Sequence, residues 1–388
     1  MNLGTLLTTG ITPVPDWVSR EMIRPMIDGH GKEARALGEQ ICAGVGQLLE
    51  TESEVFLLPA TGSGGLEASL VNHLSPGDTV LACVNGFFSA LYADIAAKLG
   101  AHVEIVEVEW GRPIDWDQVR QRLAADRKGD IKALLITHHE TSTGVLNNLA
   151  DLRDAKGDHP ALVLLNALSS FGGSPVLPDE WGVDVTVTCS HKGLMCPPGI
   201  AFIACNARAR QFQARSIMRK AYFDLGFHRA WLSKGVMPFD PPLSVMFGIA
   251  KVLEVLCVPG AIEQTHQRTE MNASVFRSCI AGLPLDIVAV QGYRAPQVSV
   301  LKVTGGCSAD ELKSTLAERF GFCVSGGMGQ LAHIAIRVNH QGWVFPREMI
   351  SLGSSVRMVF FEHSENDVIA TQAAQRTQDA ALAGLWWI

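Results

Sequence analysis

The chain has 388 residues, 47% of them hydrophobic and 18% charged, with a formal net charge of −7. That length supports two domains, or one large and one small, around a substantial core. The acidic balance and the scatter of basic residues argue against nonspecific nucleic-acid binding, and no apolar run reaches the ~20 residues of a membrane-spanning helix.

Nine cysteines, an odd number with no CxxC pair, fit a reducing cytoplasm. Several lie in apolar runs, where a free thiol acts as a small hydrophobe. The first seven residues lack the basic region and long apolar stretch of a signal peptide. A cytoplasmic protein is expected.

Residues 1–20 read as an arm, with turn chemistry in Thr8-Thr9-Gly10-Ile11-Thr12-Pro13-Val14-Pro15. From about 20 to 255, short apolar runs alternate with amphipathic segments. The apolar runs include 79–84, 102–108, 133–137, 161–165, 185–189 and 200–205. Helical patterns cover 66–74, 89–99, 116–125 and 148–155. Near-continuous apolar strands separated by helices predict an α/β fold, with a mostly parallel sheet covered on both faces. Near Pro259-Gly260 the character changes. A helix over 262–282 precedes strand candidates at 286–290, 297–303, 322–325 and 333–338, with a helix over 309–319. This reads as a smaller α+β domain. Residues 356–361 fit either a strand or part of a helix. The spacing from Glu365 onward favours a closing helix ending at Trp386-Trp387. The expected organisation is an arm at 1–20, a large domain at 21–258 and a small domain at 259–388.

Ligands in parallel α/β sheets bind beyond the carboxyl ends of the strands. His138, Asn166 and Lys192 occupy such positions. Lys192 follows the run Val185-Thr186-Val187-Thr188-Cys189. Read alone it fits a solvent-facing loop lysine equally well. An amine in a partly dry cleft, however, forms a Schiff base with an aldehyde. Thr61-Gly62-Ser63-Gly64-Gly65 opens a helix and suits a phosphate, because glycines let successive amides approach an anion. Alone, such a turn often merely joins strand to helix. Phe88 suits a flat ring or a core position. Asn166 ends a buried strand, where its side chain needs a partner; a pyridine nitrogen is one, a helix cap another. The cluster His138-His139-Glu140 lacks the i,i+4 spacing of a zinc site, so no metal is expected. Arg337 alternates out of an apolar strand and suits a carboxylate, or a surface ion pair. Together these features read as a site for pyridoxal 5'-phosphate (PLP).

In this order, the motifs resemble the class V branch of fold-type I PLP enzymes, nearest the serine/alanine–glyoxylate aminotransferases. The resemblance runs from about Leu6 to Gly342. It rests on Thr61-Gly62-Ser63-Gly64-Gly65-Leu66-Glu67-Ala68, Asn85-Gly86, His139-Glu140-Thr141-Ser142-Thr143-Gly144-Val145-Leu146-Asn147, Ser169-Ser170-Phe171-Gly172-Gly173 and Lys192 followed by Pro197-Pro198-Gly199. It implies a seven-stranded sheet in the large domain and a homodimer whose active sites are shared. It implies that Lys192 is the Schiff-base lysine and catalytic base. It implies that Thr61, Gly62, Ser63, Gly64, Phe88, Thr141, Asn166, Leu168 and His191 hold PLP. Gly10 and Arg337 then hold the substrate. The reaction implied is amino transfer from a small amino acid, alanine or serine, to a small 2-oxo acid, glyoxylate or pyruvate. Rival readings are 2-aminoethylphosphonate–pyruvate or ureidoglycine–glyoxylate aminotransferase, a PLP lyase or racemase, and a non-catalytic homodimer. A nicotinamide protein fits less well, since the G-x-G-x-x-G fingerprint is missing.

Three positions depart from the family pattern. Asn166 stands where aspartate is usual, His191 where glutamine is usual, and Asp240 where threonine is common near the partner's phosphate. A neutral amide holds a proton on the pyridine nitrogen less well than a carboxylate, and a carboxylate at position 240 is repelled by phosphate unless turned away.

Overall fold

The computed structural model describes residues 4–362. In chain order its strands are β1 (Thr5–Leu7), β2 (Glu54–Ala60), β3 (Thr79–Val84), β4 (His102–Glu107), β5 (Ile131–Thr137), β6 (His139–Glu140), β7 (Val145–Leu146), β8 (Leu162–Asn166), β9 (Val185–Cys189), β10 (Gly199–Cys205), β11 (Leu285–Ile287), β12 (Val298–Val303), β13 (Phe322–Gly326) and β14 (Ala335–Asn339). The larger sheet has seven strands in the order β2-β10-β9-β8-β5-β3-β4. Pairings from β4 through β9 are parallel, and β10 is antiparallel to both β9 and β2. Six strands therefore run one way and β10 alone opposes them. Their carboxyl ends share one edge.

The apolar runs are continuous because both faces of this sheet are covered. Leu81, Leu134, Ile136, Val163 and Leu165 face one layer, with Ile41 and Val45 of the helix Lys32–Leu48 and Ile249 and Val252 of the helix Leu243–Leu256. Their neighbours Val80, Ala82, Leu135, Leu162 and Leu164 face the other, with Leu66 and Leu70 of the helix Gly62–His73 and Tyr92 and Ala96 of the helix Phe87–Lys98. Each such leucine, isoleucine or valine stabilises the fold by roughly 1.5–3 kcal/mol through removal from water. The helix Gly62–His73 lies close to the sheet because Gly65 has no side chain. A Cβ there would stand 2.8 Å from Val187 Cγ1 and 2.9 Å from Ala201 Cβ.

A second sheet has the order β1-β13-β14-β12-β11. Its strand β1, from the segment read as an arm, pairs parallel with β13, while the other pairings are antiparallel. The helices Ala261–Cys279, Ala309–Phe320 and Pro346–Glu362 contribute Phe276, Leu312, Leu316, Leu352 and Val356 to its core, beside Leu7 and Ile336. Ser308 opens the middle helix with a capping box to Glu311, and Gly321 ends it in the left-handed conformation. Residues 356–361, ambiguous by sequence, lie in the last of these helices. The expected closing helix from Glu365 and its Trp386-Trp387 end lie outside the described residues. Among the described residues no single helix is long and apolar enough to cross a membrane.

Candidate active site

The carboxyl edge of the large sheet gathers side chains that are far apart in sequence. Thr61 follows β2, Phe88 follows β3 and Thr141 follows β5 through β6. Asn166 ends β8, with Leu168 and Ser169 just beyond, and His191 and Lys192 follow β9. The second sheet adds Gly10 after β1, Ser325 in β13 and Arg337 in β14, the last two being cross-strand partners. These residues, with Gly62 and Ser63, line one cavity of about 440 Å³. Gly64 does not line it; its α-carbon faces Ala60 and Phe223. Two wider clefts, of about 940 and 1090 Å³, lie elsewhere, and Lys192 lines neither.

Lys192 is 8% exposed, and its backbone is left-handed at φ 62°, a conformation a non-glycine residue adopts only when its surroundings enforce it. One such restraint is Thr12, whose hydroxyl donates to the Lys192 carbonyl at 3.0 Å. The Lys192 Nζ donates to Ser169 Oγ at 2.6 Å and lies 5.8 Å from the centre of the Phe88 ring. Thr141 Oγ1 also donates to Ser169 Oγ. Burial draws the Lys192 ammonium below the ordinary lysine pKa; Cys189 and Glu140 oppose the shift and Arg337 adds to it. A buried amine that loses its proton easily is a nucleophile and a base.

Glu140 anchors this region without lining the cavity. It is fully buried and accepts from Phe88 N at 3.2 Å, Ser89 N at 2.8 Å, Ser89 Oγ at 2.9 Å, Ser142 N at 3.1 Å and Ser142 Oγ at 2.6 Å. Two of those donors are first-turn amides of the helix Phe87–Lys98, so the carboxylate also meets the positive end of the helix dipole.

Asn166 is 4% exposed. Its Oδ1 accepts from Leu168 N at 3.1 Å and its Nδ2 donates to Thr137 Oγ1 at 3.3 Å. Arg337 is similarly buried, and its Nε donates to Gly326 O at 2.8 Å. Burial pulls its guanidinium pKa down to about 10, opposed by Glu140, so it stays cationic at neutral pH. His191 is held down to about 4, first by burial and then by Lys192, and is neutral at pH 7.

These groups fit PLP. Thr61 caps the helix Gly62–His73 with no side-chain hydrogen bond, and Gly65 N, bonded to the Thr61 carbonyl, closes the first turn. The amides of Gly62, Ser63 and Gly64 therefore precede the helix's own hydrogen bonding, which suits a phosphate. His191 Nδ1 is buried with no partner among the described residues, and Lys192 supplies the amine for an aldehyde.

Other residues of interest fall elsewhere. His138 turns away from the cavity, packs edge-on against Trp181 at 4.9 Å and lines the 940 Å³ cleft. His139 bonds Ser169 O through Nδ1 at 3.1 Å. The Asp240 side chain is 97% exposed, stands 3.2 Å from His30 Nε2 and does not line the cavity. Sequence reasoning passed over the roles of Ser169 and Glu140, although both lie in quoted motifs. The signal for Glu140 was a charged group in a segment that follows a buried strand.

A model of the family described as aminotransferase class-V matches residues 21–367. The chain belongs to the class V aminotransferases. Among relatives of this class V chain, the soluble hydrogenase 42 kDa subunit of Anabaena cylindrica is 33% identical, covering 92% of this chain and 93% of that protein. The L-aspartate–glyoxylate aminotransferase of Paracoccus denitrificans is 32% identical, covering 86% and 85%. The crystal structure of an alanine–glyoxylate aminotransferase from Nostoc sp. superposes with a TM-score of 0.87 at 25% identity, covering 92% of this chain and 95% of that one. The fold-type I architecture follows from these matches.

Proposed function

We propose that this class V chain uses PLP to transfer an amino group from a small amino acid, alanine or serine, to a small 2-oxo acid, glyoxylate or pyruvate. The observation that carries the reading is the placement of a buried lysine, Lys192, and a buried arginine, Arg337, in one 440 Å³ cavity with an uncapped helix N-terminus. Glyoxylate as acceptor is supported by the names of two relatives that differ in donor. The cavity favours a monocarboxylate donor. Among the described residues its lining side-chain cations are Lys192 and Arg337, with no second arginine for the side chain of aspartate.

When bound, PLP supplies an aldehyde that condenses with amines and a ring that withdraws electrons from the α-carbon. The amides of Gly62, Ser63 and Gly64, the hydroxyls of Thr61 and Ser63 and the His191 ring would hold its phosphate. Phe88, Leu168, Thr141 and Asn166, which line the same cavity, would hold its ring. Arg337 binds the substrate carboxylate, with Gly10 leaving space beside it; a Cβ on Gly10 would meet nothing within 4 Å. Lys192 Nζ would take the α-proton as general base, with Ser169 receiving its hydrogen bond.

The test is the absorption spectrum of the PLP-loaded protein with alanine and glyoxylate, beside Lys192→Ala. A visible band that requires Lys192, falls with alanine and returns as glycine forms supports the reading. A protein that shows no lysine-dependent band is not a PLP enzyme.

Two further points belong to this reading. A homodimer is supported by an exposed aromatic cluster, in which Tyr222 stacks on Phe239 at 4.5 Å and Phe227 lies 5.7 Å from both Phe239 and Trp231. Sedimentation of the purified protein tests it. A cytoplasmic location is supported by nine free cysteines.

A further inference from the structure

The side-chain amide of Asn166 has only one orientation that its neighbours accept. Leu168 N–H is a backbone donor with no alternative, and it points at Oδ1 from 3.1 Å. Turning the amide over would set an NH2 against that N–H, two donors facing each other with the side chain 4% exposed. The same turn would leave Thr137 Oγ1, now the acceptor at 3.3 Å, to reverse its role. So the oxygen is committed to the loop, one hydrogen of Nδ2 is committed to Thr137, and the second hydrogen of Nδ2 is left for the cavity that Asn166 lines. In this orientation one N–H of Asn166 is unpaired among the described residues, whereas its oxygen already accepts from Leu168 N.

Resting on the PLP reading above, we propose that Asn166 donates to the pyridine nitrogen and thereby keeps that nitrogen unprotonated. The aldehyde carbon and the ring nitrogen lie at opposite corners of the pyridine ring. With the aldehyde at Lys192 and the phosphate at the Thr61 turn, the nitrogen points away from Lys192, toward the polar ends of β5 and β8. Asn166 is the polar residue there that lines the cavity, and its Nδ2 already donates to Thr137 at the end of β5. A pyridine lone pair accepts the free N–H of Asn166. A pyridinium N–H would face it donor to donor. A ring without that proton withdraws less electron density from the α-carbon. Release of the α-proton to Lys192 is then slower than with a charged ring, and the site is tuned for slow, restrained chemistry on its substrate.

The test loads the full-length protein with PLP labelled with 15N in the ring and reads the nitrogen resonance at neutral pH, beside Asn166→Asp. The aspartate variant is isosteric and retains an oxygen for Leu168 N–H. The inference expects a neutral pyridine resonance in the native protein and a pyridinium resonance in the variant. It also expects exchange of the α-proton of bound alanine to rise by roughly tenfold or more in the variant. A pyridinium resonance in the native protein, with the Lys192-dependent visible band intact, overturns the inference and leaves the PLP reading standing. A neutral resonance that Asn166→Asp leaves unmoved also overturns it, since Asn166 then does not set the protonation. Absence of the visible band itself overturns the PLP reading and the inference with it.

Discussion

Arg337 shows how much one residue reveals before a structure exists. It interrupts the apolar alternation of Ile334-Ala335-Ile336-Arg337-Val338, and a charge in a strand that is otherwise apolar demands a partner. Arg337 lines the cavity, and its hydrogen bond among the described residues runs from Nε to Gly326 O. Arg337→Gln is expected to raise the KM for alanine by roughly 10–100-fold, the equivalent of a charged hydrogen bond of about 1.5–3 kcal/mol, with a smaller change in kcat. With a guanidinium pKa of about 10, alanine KM in the native protein should be flat through neutral pH and rise as pH approaches that value. Steady-state kinetics at several pH values checks both. Equal losses in kcat and kcat/KM would instead assign Arg337 to the transition state alone. Lys192 was legible for the same reason, as a charge that a buried strand end does not need. Ser169 was not. A serine beside a second serine has no hydropathy contrast, and its importance comes from Lys192 and Thr141, which converge on it from 23 and 28 residues away.

At the scale of elements, the apolar runs of β3, β5, β8, β9 and β10 were readable because both faces are covered. The strand β2 was harder. Glu54 and Pro59 break its pattern, yet proline is tolerated because β2 lies at the sheet edge and pairs only with β10. The strand β1 gave no local signal, as three residues whose partners are more than 300 positions away. The helix Phe87–Lys98 was read two residues short, because its start is set by a remote group. Glu140 holds Phe88 N and Ser89 N, and Gly86 makes room for it; a Cβ on Gly86 would stand 2.4 Å from Glu140 Cγ. Glu140→Gln replaces one acceptor oxygen with an NH2 that faces N–H and O–H donors. We expect a loss of about 2–3 kcal/mol in unfolding free energy, measured by urea denaturation. The Phe88 ring, carried by the same helix turn, should shift over Lys192, so PLP affinity should fall too. A variant as stable as the native protein would show that the five hydrogen bonds are replaceable by water.

Several buried histidines are held neutral at pH 7, and this shapes the response of the whole molecule to acid. Burial holds His73 at about 4, His138 and His139 at about 3, and His340 well below the ordinary value. His138 packs on Trp181, His139 lies near Lys192 and Arg277, His340 near Arg277, and His73 between Asp184 and Lys220. All four should titrate near 6.5 in the unfolded chain. Below that pH the unfolded state binds protons that the folded state refuses. Stability is therefore fully present above about pH 6.5 and is lost as pH falls toward the folded values of about 3–4. Each histidine removes about 1 kcal/mol per pH unit in that window. Four acting together should lower the melting temperature by roughly 5 °C between pH 7.5 and 5.5. His138→Phe keeps an aromatic ring against Trp181 and removes one proton site, so its melting temperature should fall by less over the same range. Scanning calorimetry of both proteins decides the matter. Equal pH slopes in the two would mean that His138 is open to water in the folded state, and a flat native profile would mean the same for all four.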